Sequence, residues 1–174
     1  MSDEQNYILD SDVLITAKNS YYTFSICPGF WDSLLHWNAK GRIHTIDRVK
    51  QELLNGSPDD EIVQWVETSV PNGFFYSCAD ASVVDAFREV MLWAQRNGQY
   101  SDAAKAKFAS GADGWLVAYS RVNDTAVVTN EQPEPNAKKT IKLPDVCEAF
   151  DVRYENTFSM LRQIGVQYHF SESL

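Results

Sequence analysis

The stretch YILDSDVLI, residues 7–15, decides the fold of this chain. Its first three residues are a short apolar run typical of a buried β-strand, and Asp10 and Asp12 interrupt the apolar pattern directly after it. An acid at the end of a buried strand is costly unless it faces solvent or a cation. The carboxyl ends of strands are also where ligands bind in open α/β sheets. The stretch therefore predicts a strand that ends in a pocket, with Asp10 as a site residue.

A second interpretation of the same stretch is purely structural. Residues 10–12 then form a strand-to-helix turn whose acid caps the next helix, and Ser11 or Asp12 serves that role equally well. The sequence at this point leaves both interpretations open.

Outward from this stretch, short apolar runs alternate with amphipathic segments. We predict further strands at residues 43–46, 74–77, 126–129 and 152–154 and a helix at 30–40. Further helix starts are predicted at Asp47, Ser57, Asp80, Ser101, Ser110 and Pro144, and a terminal helix contains Phe158 and Ile164. This alternation predicts a three-layer α/β domain with a central, mainly parallel sheet. We expect one domain over residues 1–174, with a C-terminal helical extension from about residue 144.

Three more acids lie where an apolar element begins or ends. Glu52 borders the buried face of the helix that starts at Asp47, although an exposed glutamate has the same pattern. Asp113 precedes a strongly apolar helix, and it also fits the first-turn acid of a capping motif begun by Ser110. Glu131 follows a predicted strand as Asp10 does, although an ordinary loop acid would stand there too.

Composition and charge limit the class of protein. The chain has 174 residues, 44% of them hydrophobic and 13% aromatic, which predicts a packed globule and excludes a disordered segment. Its net charge of −9 opposes broad attraction to nucleic acid or to an anionic membrane. A polyanionic substrate would therefore need local help from metal ions.

The cysteines and the first residues indicate the compartment. Cys27, Cys78 and Cys147 are widely separated and lack metal-ligand spacing, so we expect free thiols, mostly buried. Residues 1–6 are polar and acidic, unlike a signal peptide, and no apolar run is long enough to span a membrane. We therefore expect a soluble, cytoplasmic protein.

Taken in order, these motifs resemble those of the PIN-like nuclease domains, in an uncharacterised prokaryotic branch related to toxin–antitoxin ribonucleases. The resemblance rests on YILDSDVLI at 7–15, VKQEL at 49–53, ADGWLVA at 112–118 and VVTNE at 127–131. The later segment IKLPDVC, residues 141–147, is similar to an addition specific to that branch, and its Asp145 would supply a further acid. PIN domains usually carry Asp at the last acidic position, where this chain has Glu131.

The resemblance implies an endoribonuclease that depends on Mg²⁺ or Mn²⁺, ions that prefer hard oxygen ligands. It implies Asp10, Glu52, Asp113 and Glu131 as catalytic residues. Asp10, Asp113 and Glu131 would hold the metal, with Asp12, Thr129 and Asn130 in support. Substrate phosphates would meet Lys18 or the patch formed by Lys138, Lys139 and Lys142. The implied partners are RNA, a protein antitoxin and a second copy in a homodimer, with no membrane.

Two other functions fit parts of the sequence. The run from Asp10 to Asp12 also resembles the nucleophile motif of haloacid-dehalogenase-like phosphatases, in which Asp10 is phosphorylated and Asp12 is the acid/base. That chemistry also needs a placed lysine and a later acidic pair after a strand, whereas Asp59 and Asp60 stand at a predicted helix start. The third possibility is a catalytically weak PIN-like module that acts through protein binding alone.

Overall fold

The strands of this computed structural model, which describes residues 4–172, form one five-stranded sheet. Along the sheet the order is β3-β2-β1-β4-β5, and every pairing is parallel. The strands are β1 (Tyr7–Leu9), β2 (Ile43–Ile46), β3 (Phe75–Tyr76), β4 (Ala126–Val128) and β5 (Tyr154–Glu155). The predicted α/β architecture with a central parallel sheet is confirmed.

Helices flank the sheet and connect its strands. They are α1 (Ser11–Asn19), α2 (Pro28–Ala39), α3 (Asp47–Leu53), α4 (Glu61–Thr68), α5 (Ala81–Arg96), α6 (Asp102–Ser110), α7 (Asp113–Asn123), α8 (Leu143–Ala149) and α9 (Thr157–Gln163), and a short 3-10 helix spans Asn72–Phe74. Within the described residues 4–172, no helix has both the length and the apolar character needed to cross a membrane.

The central strands are continuous apolar runs because helices cover both of their faces. Every residue of β1 and β4 is buried. The two strands pair in register, with Tyr7 opposite Ala126 and Leu9 opposite Val128. The residues that follow these strands, Asp10 and Thr129, therefore emerge side by side at the carboxyl edge of the sheet.

Close packing of α7 on α5 brings the start of α7 to the same edge. A Cβ atom added at Gly114 would lie 2.5 Å from the terminal carbon of Met91 and 3.1 Å from the Phe87 ring, so the glycine permits the close approach. The Phe87 ring also stacks on Trp115, with centroids 3.7 Å apart. This packing places the first turn of α7, which carries Asp113, against α5.

Two of the predicted helix caps are confirmed. The Asp80 carboxylate accepts from the backbone N–H of Ser82 at 2.9 Å, and the Ser101 hydroxyl accepts from the N–H of Ala104 at 3.2 Å. Both bonds satisfy an N–H group that lacks a partner inside the helix.

Three other residues that were predicted to cap a helix do not do so. The third helix, α3, does begin at Asp47 as predicted, but the Asp47 carboxylate accepts from the backbone N–H of Cys78 at 3.2 Å and does not cap the helix. Asp60, not Ser57, caps α4 by accepting from Ile62, since residues 57–60 form a turn first. Ser110 ends α6, where its hydroxyl donates to a carbonyl of the preceding turn.

The region beyond residue 143 contains more than helices. Between α8 and α9 the chain forms β5, which pairs with β4 and is the outer strand of the sheet. The three cysteines are free, as predicted, with Cys78 and Cys147 buried and Cys27 half-buried.

Candidate functional site

Asp10 stands at the junction of β1 and α1. Its backbone N–H donates to the carbonyl of Val128 at 2.9 Å, which extends the pairing of β1 with β4 by one residue. Asp10 occupies the cap position of α1, but its carboxylate makes no capping bond. Instead it accepts from the Thr129 hydroxyl at 2.9 Å and is only 4% exposed. The capping interpretation of Asp10 is therefore wrong.

Asp12, the second residue of α1, ties that helix to the end of β4. Its carboxylate oxygens accept from the backbone N–H of Asn130 at 3.2 and 3.3 Å. The side-chain carbonyl of Asn130 accepts from the Thr157 hydroxyl at 2.8 Å, which joins it to α9. Asp12 and Asn130 thus hold the loop after β4 in place.

Glu52 connects two segments that carry the other acids. One of its oxygens, Oε2, accepts from the Ser11 hydroxyl at 2.7 Å, and the other, Oε1, accepts from the backbone N–H of Ala112 at 2.9 Å. Ser11 follows Asp10 and Ala112 precedes Asp113. Both oxygens are engaged, so the exposed-glutamate interpretation of Glu52 is wrong.

Asp113 is the first residue of α7 and its side chain is half-buried. Among the described residues 4–172, no group donates a hydrogen bond to the Asp113 carboxylate, so this side chain does not cap the helix. Burial, followed by the negative charges of Glu131, Glu52 and Asp12, raises the pKa of Asp113 to about 7. A nearby cation stabilises the ionised form of such a carboxylate.

Burial also raises the pKa of Asp10 well above its usual range, with the charges of Asp113 and Asp12 adding to the effect. The same cause, burial, raises the pKa of Asp12. Asp10, Asp12 and Asp113 are therefore close enough to repel one another at the carboxyl edge of the sheet.

Glu131 follows β4 and reaches towards the beginning of α8. Its Oε2 accepts from the backbone N–H of Leu143 at 3.0 Å, while its own N–H donates to the Thr129 hydroxyl at 3.2 Å. The side chain is thus held in place and does not move freely as a loop acid would.

A pocket of about 230 Å³ lies between these elements. Glu52, Asp113 and Glu131 line it together with two lysines, Lys107 and Lys142. Asp10 and Asp12 do not line it, but they interact with Asp113, which does: the charge of Asp113 raises the pKa of Asp10, and the charge of Asp12 raises the pKa of Asp113. Acids from four distant parts of the chain therefore meet at one edge of the sheet. We call this pocket and the five acids the carboxylate site.

The donor chemistry of this site suits a hard divalent ion, although the side chains are not arranged as a finished cage. Within residues 4–172, no group of three or more His, Cys, Asp or Glu side chains is placed so that it could hold a metal ion as it stands. Mg²⁺ usually keeps several waters and binds proteins through only one or two carboxylates. Asp10 and Asp113 fit that requirement, because burial raises the pKa of both carboxylates and the charge of Asp113 acts on Asp10.

Lysines surround the site differently from the sequence-based expectation. Lys18 lies away from the pocket in an ion pair with Asp60, with nitrogen–oxygen distances of 2.7 and 2.8 Å. Lys142 of the predicted basic patch does line the pocket, whereas Lys138 and Lys139 do not. Sequence analysis missed Lys107, which stands in a short alanine-rich helix with no pattern that marks it.

Asp145 does not supply a further acid to the pocket. Its two carboxylate oxygens accept from the backbone N–H of Glu134 at 3.1 Å each. This bond anchors the long loop that follows β4. Asp145 therefore supports the loop instead of lining the site.

The sheet order and the flanking helices form an α/β domain with a PIN-like fold. The chain belongs to the family described as "Domain of unknown function (DUF4411)", whose model matches residues 7–168. A solved structure described as "Structure of FitAB bound to IR36 DNA fragment" shares the fold with a TM-score of 0.51. That likeness covers 94% of this chain and 99% of the other, with 18% of residues identical. No curated protein matches the sequence.

Proposed function

We propose that this protein is a Mg²⁺- or Mn²⁺-dependent endoribonuclease of PIN type, the toxin of a toxin–antitoxin pair. One observation carries the proposal: four separate segments bring Asp10, Glu52, Asp113 and Glu131 to one edge of the sheet, where burial, followed by the charges of neighbouring acids, raises the pKa of Asp113 to about 7. Acids whose pKa is strongly shifted by burial and by neighbouring charges are typical of a functional site. The PIN-like fold supports the same assignment.

Asp10 and Asp113 would hold the metal, and Glu131 would complete the acidic pocket. When bound, a divalent ion in such a site activates water for in-line attack on a phosphodiester and stabilises the charge that develops. The Thr129 hydroxyl fixes the Asp10 carboxylate by its bond of 2.9 Å. Glu52, with both oxygens hydrogen-bonded, is a positioning residue that keeps Asp10 and Asp113 at a constant separation.

Lys107 and Lys142 would hold the substrate's phosphate groups. The net charge of −9 repels a polyanion, so the binding of RNA needs a local positive contact. Neither lysine forms an ion pair with another residue in the described range 4–172, and both line the pocket. Lys18, whose charge is already paired with Asp60, is less suited to this role.

The toxin role and the partners rest on the PIN-like fold alone. An antitoxin would inhibit such an enzyme by covering the carboxylate site, and the enzyme would assemble as a homodimer. In the FitAB structure the protein is bound to a DNA fragment. We propose RNA as the substrate here, and DNA of matched sequence serves as a comparison in the test below.

The phosphatase alternative has less support from the geometry. It needs a lysine beside Asp10, whereas Lys18 pairs with Asp60 at 2.7 Å. Asp60 is itself used as the cap of α4. Trapping of a phosphorylated Asp10 by a phosphate donor would favour the phosphatase.

The deciding experiment is cleavage of an RNA panel by protein purified free of any partner. We expect wild-type protein to cut RNA only with Mg²⁺ or Mn²⁺. Asp10→Asn should cut RNA more than about 100-fold more slowly, because substitution of a metal ligand should cost more than substitution of a residue that only hydrogen-bonds to a ligand. The control is Asp32→Asn, which changes an exposed aspartate on α2. Equal cleavage by wild type and Asp10→Asn would contradict the proposal, and an uncut panel would favour the protein-binding module.

A further inference from the structure

A second cavity of about 230 Å³ adjoins the carboxylate site. The two cavities share one wall, the segment 130–132. Asn130 and Gln132 border the second cavity, whereas Glu131 between them borders the carboxylate pocket. We call the second cavity the aromatic hollow; its walls include Tyr21, Tyr22, Phe158, Thr16, Ser20 and Gln132.

The hollow differs from the carboxylate site in charge. None of its lining residues is charged, in a chain whose net charge is −9. Two of its aromatic side chains face solvent, with Tyr21 77% exposed and Phe158 44% exposed. Exposed aromatic rings around an uncharged cavity suit a neutral, flat ring that stacks on them.

Polar side chains in the hollow are available to form hydrogen bonds with the edge of such a ring. Within residues 4–172, the side chains of Thr16, Ser20 and Gln132 make no hydrogen bonds to the rest of the chain. The other two amides have partners, since Asn156 caps α9 through Ser159 and Asn130 accepts from Thr157. A carboxamide and two hydroxyls offer both donors and acceptors to a ligand.

We infer that the aromatic hollow binds one unstacked nucleobase of single-stranded RNA while the adjoining phosphate lies at the carboxylate site. The inference rests on the proposed nuclease function and names the form of its substrate. Single-stranded bases are recognised by stacking on aromatic side chains and by hydrogen bonds to their edges. A basic peptide would find no charge in the hollow with which to pair.

The test measures RNA binding without cleavage. The Asp113→Asn protein is titrated, without divalent metal, into a short fluorescent single-stranded RNA and into versions with an abasic site at each position in turn. We expect one abasic position to weaken binding about fivefold or more. Tyr21→Ala in the same background should weaken binding of the intact RNA by a similar factor. The two losses should not add when combined, because each removes the same contact.

The control is Phe170→Ala, which removes an exposed aromatic side chain that does not line the hollow. Its binding should match that of the parent. A second variant, Gln132→Ala, should change which base is preferred at the sensitive position. Phe158→Leu provides a further test of the wall, since it removes a ring but keeps an apolar side chain.

Unchanged RNA binding by Tyr21→Ala would overturn the inference. The inference would also be wrong if Tyr21→Ala weakened binding of the abasic RNA as much as it weakens binding of the intact RNA. The first result is also the one expected if the hollow serves a protein partner. Metal-dependent cleavage by wild type is measured separately on the same RNA. If wild type cleaves the RNA but the losses caused by Tyr21→Ala and by the abasic position are independent, the base site is wrong and the nuclease proposal stands. If the two losses are not additive but wild type does not cleave the RNA, the nuclease proposal is wrong and the base site stands.

Discussion

The Ser11 hydroxyl donates a hydrogen bond of 2.7 Å to Glu52, which lies 41 residues further along the chain. Through its second oxygen, Glu52 also accepts from the N–H of Ala112 at 2.9 Å. This one side chain therefore links the residues next to Asp10 and Asp113. The distance between the two proposed metal ligands is set by a hydrogen-bonded bridge as well as by the sheet.

We expect Ser11→Ala to lower the free energy of unfolding by about 1 kcal/mol, the usual worth of such a bond. Cleavage should fall by about 10–100-fold, less than for Asp10→Asn, because the ligands remain but are less well held. Urea unfolding and cleavage rates measure the two effects. Ser25→Ala, at an exposed serine, is the control. If Ser11→Ala matches wild type in both assays, the bridge has no positioning role.

The parts of the fold that follow from local pattern were predictable from sequence. The apolar runs of β1 and β4, followed by Asp10 and, three residues after β4, by Glu131, indicated both a parallel sheet and its ligand edge. Asp80 and Ser101 were identifiable as caps because each stands directly before the residues that form the helix, Ala81–Arg96 and Asp102–Ser110. At α4, Ser57 and Asp60 are both good caps three residues apart, and only the packing of the turn selects Asp60.

Other features depend on contacts that no local pattern encodes. The bond from Ala112 to Glu52 spans 60 residues and uses a backbone N–H, which is the same for every residue type except proline. Lys107 is an exposed residue of α6, and its place on the pocket wall follows from how α6 meets α7. Lys18 had the right charge for phosphate binding, but a partner 42 residues away, Asp60, pairs with it.

Metal binding should stabilise the wild-type protein. The repulsion between Asp10 and Asp113 is relieved when a divalent cation lies between them. We expect saturating Mn²⁺ to raise Tm by about 5 °C or more, and Asp10→Asn or Asp113→Asn to remove most of that gain. Thermal unfolding with and without metal measures it. Asp32→Asn should respond to metal as wild type does, and equal gains in all four proteins would contradict a metal site at these acids.

Stability of the metal-free protein should fall as pH rises. The pKa of Asp113 is raised from its ordinary value of 3.8 to about 7, so the folded protein keeps a proton that the unfolded chain has released. The stabilisation of the folded state by this proton is complete below about pH 4 and is lost as pH rises through about 7. Relative to Asp113→Asn, wild type should lose on the order of 2 kcal/mol between about pH 5 and pH 8.

Urea unfolding in EDTA at the two pH values measures this difference. Asp113→Asn carries no titrating group at this position, so the comparison cancels the titration of groups far from the site. If wild type and Asp113→Asn lose the same amount of stability between the two pH values, Asp113 has an ordinary pKa. Addition of Mn²⁺ at the higher pH should restore the stability of wild type more than that of the variant.

The last prediction concerns Lys107 and Lys142, the two lysines that line the pocket. Lys107 lowers the pKa of Asp113, against the larger effects of burial and neighbouring acids, so its charge reaches the site. Each lysine that contacts a phosphate should contribute about one ion to the salt dependence of RNA binding. We expect Lys107→Ala and Lys142→Ala each to weaken RNA binding and to flatten its salt dependence by about that amount.

Lys139→Ala is the matched control, because Lys139 is an exposed lysine of the same region that does not line the pocket. It should leave the salt dependence nearly unchanged, and Lys107→Arg should retain most of the binding because it keeps the charge. Fluorescence anisotropy over a series of salt concentrations, in the Asp113→Asn background, separates binding from cleavage. If all three alanine variants flatten the salt dependence equally, RNA contacts a diffuse basic surface, and the pocket lysines have no specific role in holding the phosphate.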